Sequence, residues 1–239
     1  MKFNSFLLKS ISLIFLVSFF VSCYSQSAHD YRNKLNVISN IEAYSAKVRE
    51  NPNRQLVDIE NIIPGIVLDI HYASKNNFTN EVIYRAPKAF VRKPVADALT
   101  KIQLELEAKG LGLKIFDAYR PYAATVKFYE VYPDTNFVAA PWKGSVHNRG
   151  CAVDLTIINL STGKELEMPT PFDDFTKKAA HGYMHLTDEV LANRSLLREI
   201  MEKFGFSIYE HEWWHYNFEN WESFSLMDIS FQNLNQHKK

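Results

Sequence analysis

Helix-period and strand-period segments follow one another in this chain without regular alternation. Behind Pro94, a residue suited to the first turn of a helix, Val95, Ala98, Leu99, Ile102 and Leu106 recur at three- and four-residue steps. Gly110 can end that helix in the left-handed conformation. Leu113 to Phe116 is a short strand candidate, and Pro121 can open a helix reaching to Tyr132. Val153 to Ile158 is a run rich in β-branched residues and reads as a strand. Asn193 can cap a helix with Leu196, Leu197, Ile200, Met201 and Phe204 on one face, ended by Gly205. Tyr209 to Phe218 is aromatic-rich and reads as extended. This mixture favours an α+β fold, a small antiparallel β-sheet with packed helices.

The 239 residues suit one domain of roughly 200 residues or two small ones, and neither an internal repeat nor a linker divides the chain. Lys plus Arg and Asp plus Glu both total 27, and this balance argues against nonspecific nucleic-acid binding, which needs a basic surface. Two cysteines exclude a disulfide scaffold and a four-cysteine zinc site.

Residues 1–22 read as an export signal. Lys2 and Lys9 supply the positive start, and Ile11 to Val21 is apolar, uncharged and short for a membrane span. The run Phe20-Val-Ser-Cys23 resembles a bacterial lipoprotein signal, in which the cysteine becomes lipidated. The expectation is export to the periplasm or cell envelope, with membrane attachment only through lipid on Cys23. Plain secretion and a retained anchor are the alternatives. Residues 24–55 read as a tether and N-terminal segment, with a short helix around Tyr31 to Val48, and 56–239 as the main domain.

Four features carry chemistry: Ser145-Val-His147-Asn-Arg-Gly150-Cys-Ala-Val-Asp154, Glu212-Trp-Trp-His215, Arg120 in Asp-Ala-Tyr-Arg-Pro, and Asp173 in Pro-Phe-Asp-Asp. On a straight strand, His147 and Asp154 would point to opposite faces, but a turn at Arg149-Gly150 lets them converge. An imidazole and a carboxylate suit zinc, and His215 would be the third ligand, leaving one position open for a water. Glu212 is placed to take that water's proton and pass it to a leaving amine. Trp213 and Trp214 would shield its carboxylate and raise its pKa.

Each piece also has a plainer reading. The His–Asp pair can be an ordinary hydrogen bond, Arg120 a loop support, Asp173 a cap for a helix over Phe175 to Ala180, and the tryptophans core filler. His181-Gly-Tyr-Met-His185 has the spacing of a helical metal pair but carries Gly182 and lacks the glutamate of a helical zinc protease. His71 and His211 read as structural, and Cys151 as a small packing residue.

Together these residues resemble the zinc D-alanyl-D-alanine dipeptidases, whose pattern Ser-x-His-x-x-Gly-x-Ala-x-Asp with a distant Glu-x-x-His is met by Ser145, His147, Gly150, Ala152, Asp154, Glu212 and His215. The similarity extends from about Val57 to Phe218 and includes the segment from Asp69 to Phe78. The resemblance implies the fold shared with bacterial D,D-carboxypeptidases and the hedgehog signalling domain, and one zinc per chain. It also implies that Arg120 stabilises the oxyanion, Asp173 holds the substrate's ammonium and Ser145 helps hold its carboxylate. The implied activity is hydrolysis of the D-Ala-D-Ala dipeptide. A D,D-carboxypeptidase acting on peptidoglycan stems and a non-catalytic zinc-binding module are the alternatives, the latter disfavoured by intact Glu212 and Arg120.

Overall fold

A computed structural model describes Tyr31 and residues 35–236. The expected export signal and Cys23 lie outside the described residues. No helix among the described residues is long and apolar enough to cross a membrane.

Tyr31 is helical, and helix α1 runs over Ile41–Glu50, where the Asn40 side chain accepts from the Ala43 N–H and caps its start. Its buried Tyr44 accepts from the Leu56 N–H at 2.6 Å, so this segment lies on the domain rather than beside it. Strand β1 (Leu56–Asp58) pairs antiparallel with β3 (Phe90–Arg92), forming a separate two-stranded ribbon.

The main sheet has five strands. Strand β2 (Val67–Leu68) pairs with β4 (Leu111–Asp117), β4 with β5 (Ala152–Asn159), and β5 with β7 (Glu212–Phe218), whose other edge carries β6 (Phe206–Tyr209). All these pairings are antiparallel except β2–β4. That parallel edge departs from a purely antiparallel sheet. Parallel neighbours need a crossover, and here it contains β3 and helix α2 (Lys93–Glu107). Helix α2 buries Val95, Ala98, Leu99, Ile102 and Leu106, the stripe read from the sequence, and Gly110 follows at φ 73°. Strand β5 is central and buried from Ala152 to Ile158, which explains its nearly continuous apolar run.

Helix α3 spans Tyr122–Val131 behind Pro121. Helix α4 spans Asp188–Lys203, so Asn193 is not its cap. Thr187 accepts from the Val190 N–H, Asp188 and Glu189 sit in the positively polarised first turn, and Val190 extends the buried stripe one turn earlier. Asn193 instead donates to the Glu167 carbonyl at 3.0 Å. A short helix, α5 (Phe231–Gln236), closes the described chain.

Candidate active site

The seven candidate residues, Arg120, Ser145, His147, Asp154, Asp173, Glu212 and His215, line one pocket at an end of the main sheet. The sheet register builds its floor. Asp154 on β5 is the cross-strand partner of His215 on β7, and a bulge between Ile115 and Asp117 on β4 brings Asp117 opposite Asp154 on the other side. Three polar residues thus lie in a row across three strands. His147 arrives differently, from a single 3₁₀ turn over His147–Arg149 that Gly150 ends at φ 72°.

Gly150 is needed for both conformation and space. A Cβ there would stand 2.5 Å from Leu56 Cδ2 in a backbone region that disfavours side chains. Gly150→Ala is therefore expected to destabilise the protein by about 1–3 kcal/mol; an unchanged melting temperature would contradict this account of the turn. Buried Asn148 braces the same turn. It accepts from the Ser145 N–H at 2.7 Å and donates to the Arg120 carbonyl at 2.9 Å and to Thr125 Oγ1 at 2.8 Å.

The ligand atoms of His147, Asp154 and His215 all lie within 4.8 Å of one another. His147 Nε2 is 3.2 Å from His215 Nδ1 and 3.4 Å from Asp154 Oδ2, and His215 Nδ1 is 3.0 Å from Asp154 Oδ1. The outer ring nitrogens settle which atoms bear protons. His147 Nδ1 faces the Ala118 carbonyl at 2.7 Å, and His215 Nε2 faces Asn217 Oδ1 at 2.9 Å. Both partner atoms are oxygens, which only accept, so each imidazole carries its proton outward. The inner nitrogens and the carboxylate then present lone pairs to one another. Such a cluster repels itself unless a cation sits among it, and two imidazoles with one carboxylate are a zinc donor set with room for a fourth ligand. Burial opposes the charge on Asp154, but positive charge on the histidines, when they are protonated, outweighs it and holds its carboxyl below the usual range.

Glu212 lies three residues before His215, a spacing that on a regular strand would face it away. The β6–β7 register shifts between Ile208 and Tyr209, and this irregularity turns Glu212 to the pocket side, with Oε2 3.9 Å from His215 Nδ1. Burial, then the nearby Asp154 and Asp173 carboxylates, raise its pKa well above the usual carboxylate range. Trp214 lines the pocket beside this carboxyl but favours its charged form, so it opposes the rise expected of it. Trp213 points elsewhere, and its indole donates to Thr170 Oγ1 at 3.0 Å.

Arg120 is clamped. Its Nε and Nη2 donate to Asp117 Oδ2 at 3.0 and 2.7 Å, and Nη2 is 3.7 Å from Asp154 Oδ2. The guanidinium lies over the Phe128 ring at 4.6 Å. Burial works against its charge, but Asp117 more than compensates and keeps it protonated.

Asp173 adopts the left-handed conformation at φ 61° and is not a helix cap. Its neighbour Asp174 takes the turn-stabilising role, accepting from the Thr176 N–H at 3.1 Å, and the expected helix over 175–180 is a 3₁₀ turn over Lys177–Ala179. Asp173 receives the Tyr72 hydroxyl, 3.1 and 3.0 Å from its two oxygens. Burial, then Asp154, push its carboxyl well above the usual range. Ser145 Oγ accepts from the His147 N–H at 3.2 Å.

The remaining histidines and Cys151 stand apart. His181 is buried with its pKa lowered to about 4, chiefly by burial, while His185 is exposed and packs on Tyr183, so the two form no metal pair. His71 packs edge-on against Phe116 and Phe172, and His211 sits on the β6–β7 turn. Burial pushes the Cys151 thiol up to about 12, consistent with a packing residue.

Comparison with known proteins adds an independent observation. The peptidase M15 family, described as "D-ala-D-ala dipeptidase", matches residues 52–229. The chain is 32% identical over 177 residues to a D-alanyl-D-alanine dipeptidase of Escherichia coli (strain K12), covering 74% of this chain and 91% of that protein. It is 32% identical over 178 residues to one from Enterococcus faecalis (strain ATCC 700802 / V583), covering 66% and 88%. A third, from Streptomyces coelicolor, is 33% identical over 181 residues, again covering 66% and 88%.

The chain belongs to the D-Ala-D-Ala dipeptidase family.

In this family member four residues in and around the pocket do not stand out in the sequence: Asp117, Tyr72, Asn148 and Asn217. Asp117 has a signal, since it lies three residues before Arg120 inside the Asp-Ala-Tyr-Arg-Pro run. Tyr72 lies inside the Asp69 to Phe78 segment but nothing there singles it out, and Asn217 has no signal, because their partners lie across the fold or depend on which face of a strand is buried.

Proposed function

We propose that this pocket hydrolyses the free D-alanyl-D-alanine dipeptide. The observation that carries the reading is the convergence of His147 Nε2, Asp154 and His215 Nδ1 beside the buried carboxyl of Glu212. A zinc ion held by those three side chains would acidify a water towards a pKa of about 7 and polarise the scissile carbonyl. Glu212 takes the proton of the attacking water and returns it to the leaving amine; its raised pKa keeps it a competent acid for the second transfer. Arg120 aims a fixed positive charge at the oxygen that becomes negative. Asp173 receives the substrate ammonium, whose charge offsets the burial penalty on its carboxylate, and Ser145 helps hold the terminal carboxylate.

An acid for the ammonium and a donor for the carboxylate, both lining this pocket, would together measure one dipeptide. A longer peptide would place a neutral amide against Asp173 and leave a buried carboxylate unpaired. Asp173→Asn is therefore expected to raise KM for the free dipeptide by at least about 10-fold, with a smaller change in kcat. Unchanged KM would remove Asp173 from substrate binding. The whole reading is tested by metal analysis with paired assays on D-Ala-D-Ala and a stem pentapeptide. Zinc with dipeptide turnover supports it, turnover of the pentapeptide alone would make the protein a carboxypeptidase, and no turnover of either would make it a zinc-binding module.

The pattern of residues 1–22 supports export as part of this proposal, with lipid on Cys23 and dipeptide scavenging or wall turnover as the setting. Cell fractionation that leaves the protein in the cytoplasm would reject that setting.

A further inference from the structure

We infer that Asn217 is a positioning residue that sets which nitrogen His215 offers to the metal. The inference rests on the zinc reading above. Residues 215 and 217 are two apart on β7, so their side chains share a face, and Asn217 lines the same pocket. Asn217 Oδ1 accepts from His215 Nε2 at 2.9 Å. This bond places the proton on Nε2 and leaves the Nδ1 lone pair turned to His147 Nε2 and Asp154 Oδ1. A hydrogen bond at the far ring nitrogen also restricts rotation of the imidazole. His147 is oriented by a backbone carbonyl, that of Ala118, which no substitution of side chain can remove. The two histidines are thus held by different means: a backbone carbonyl takes the His147 ring, with Asp117 Oδ2 3.9 Å from the same nitrogen, and a side-chain amide takes the His215 ring. An outer partner of this kind typically governs about 10- to 100-fold in metal affinity.

The test uses the purified protein, with zinc itself as the probe and a chelator as competitor. Asn217→Val keeps a strand-forming residue but offers no acceptor, and it is expected to weaken zinc binding by about 10- to 100-fold. Its dipeptidase activity should fall at limiting zinc and recover in excess zinc, a rescue that damage to the fold would not show. Asn217→Asp restores an acceptor with full charge and should hold zinc at least as tightly as the native protein. Native affinity in Asn217→Val, or equal weakening in both variants, would overturn the inference. A native protein that binds no zinc would instead bring down the proposed function, and this inference with it. If Asn217→Val fails to fold, the Asn217→Asp measurement still decides, since weakened binding there contradicts the proposed role.

Discussion

Glu212→Gln is expected to retain zinc and lose about 10²–10⁴-fold in kcat. The side chain is close to the ligand cluster but outside it: its Oε2 is 3.9 Å from His215 Nδ1, whereas the three ligand atoms meet without it. Removing its acid–base function therefore takes away proton transfer and leaves the donor set whole. The glutamine variant has a further expected property. Burial and two neighbouring carboxylates disfavour the charged form of Glu212, so a neutral isostere removes a penalty and the melting temperature should not fall. Loss of zinc would make Glu212 a ligand, and retained turnover would remove it from proton transfer.

Arg120→Ala is expected to act on two levels. The oxyanion partner is lost, which costs about 10²–10³-fold in kcat with little rise in KM. Asp117 also loses its cation in a buried place, where an orphaned partner costs about 3–5 kcal/mol. The remaining hydrogen-bond partners of Asp117, Tyr84 Oη and the Ala118 N–H, both reach Oδ1 at 2.9 Å, and Oδ2 keeps His147 Nδ1 at 3.9 Å while bearing most of that loss. Arg120→Lys separates the two levels. It returns a positive charge near Asp117 but not the forked geometry, so stability should recover more than kcat does. A variant series in which KM rises and kcat holds would make Arg120 a binding residue only.

The ligand triad and Glu212 are legible in the sequence because their chemistry is concentrated in two short runs, and because Gly150 marks the turn that brings His147 back over the strand. The helix from Lys93 is legible from a clean stripe between Pro94 and Gly110. What residue order does not supply is register. Nothing in it says that Asp154 faces His215 across the ladder, or that irregularities in β4 and β7 swing Asp117 and Glu212 to the pocket side. Those are properties of strand pairing. The parallel edge at β2 escapes for a similar reason, since a two-residue strand carries almost no periodic signal. At α4 two start signals compete, and Thr187 followed by two acids outranks Asn193.

The row formed by Asp117, Asp154 and His215 has a consequence for quality control during folding. Shifting either strand pairing by a single position would send the polar groups into the apolar layers and turn apolar side chains outward at the same moment. Mispaired molecules would therefore be both poorly packed and inert, with no half-working species between. At saturating zinc, the measured turnover of a preparation then reports how many molecules have threaded their central strands correctly.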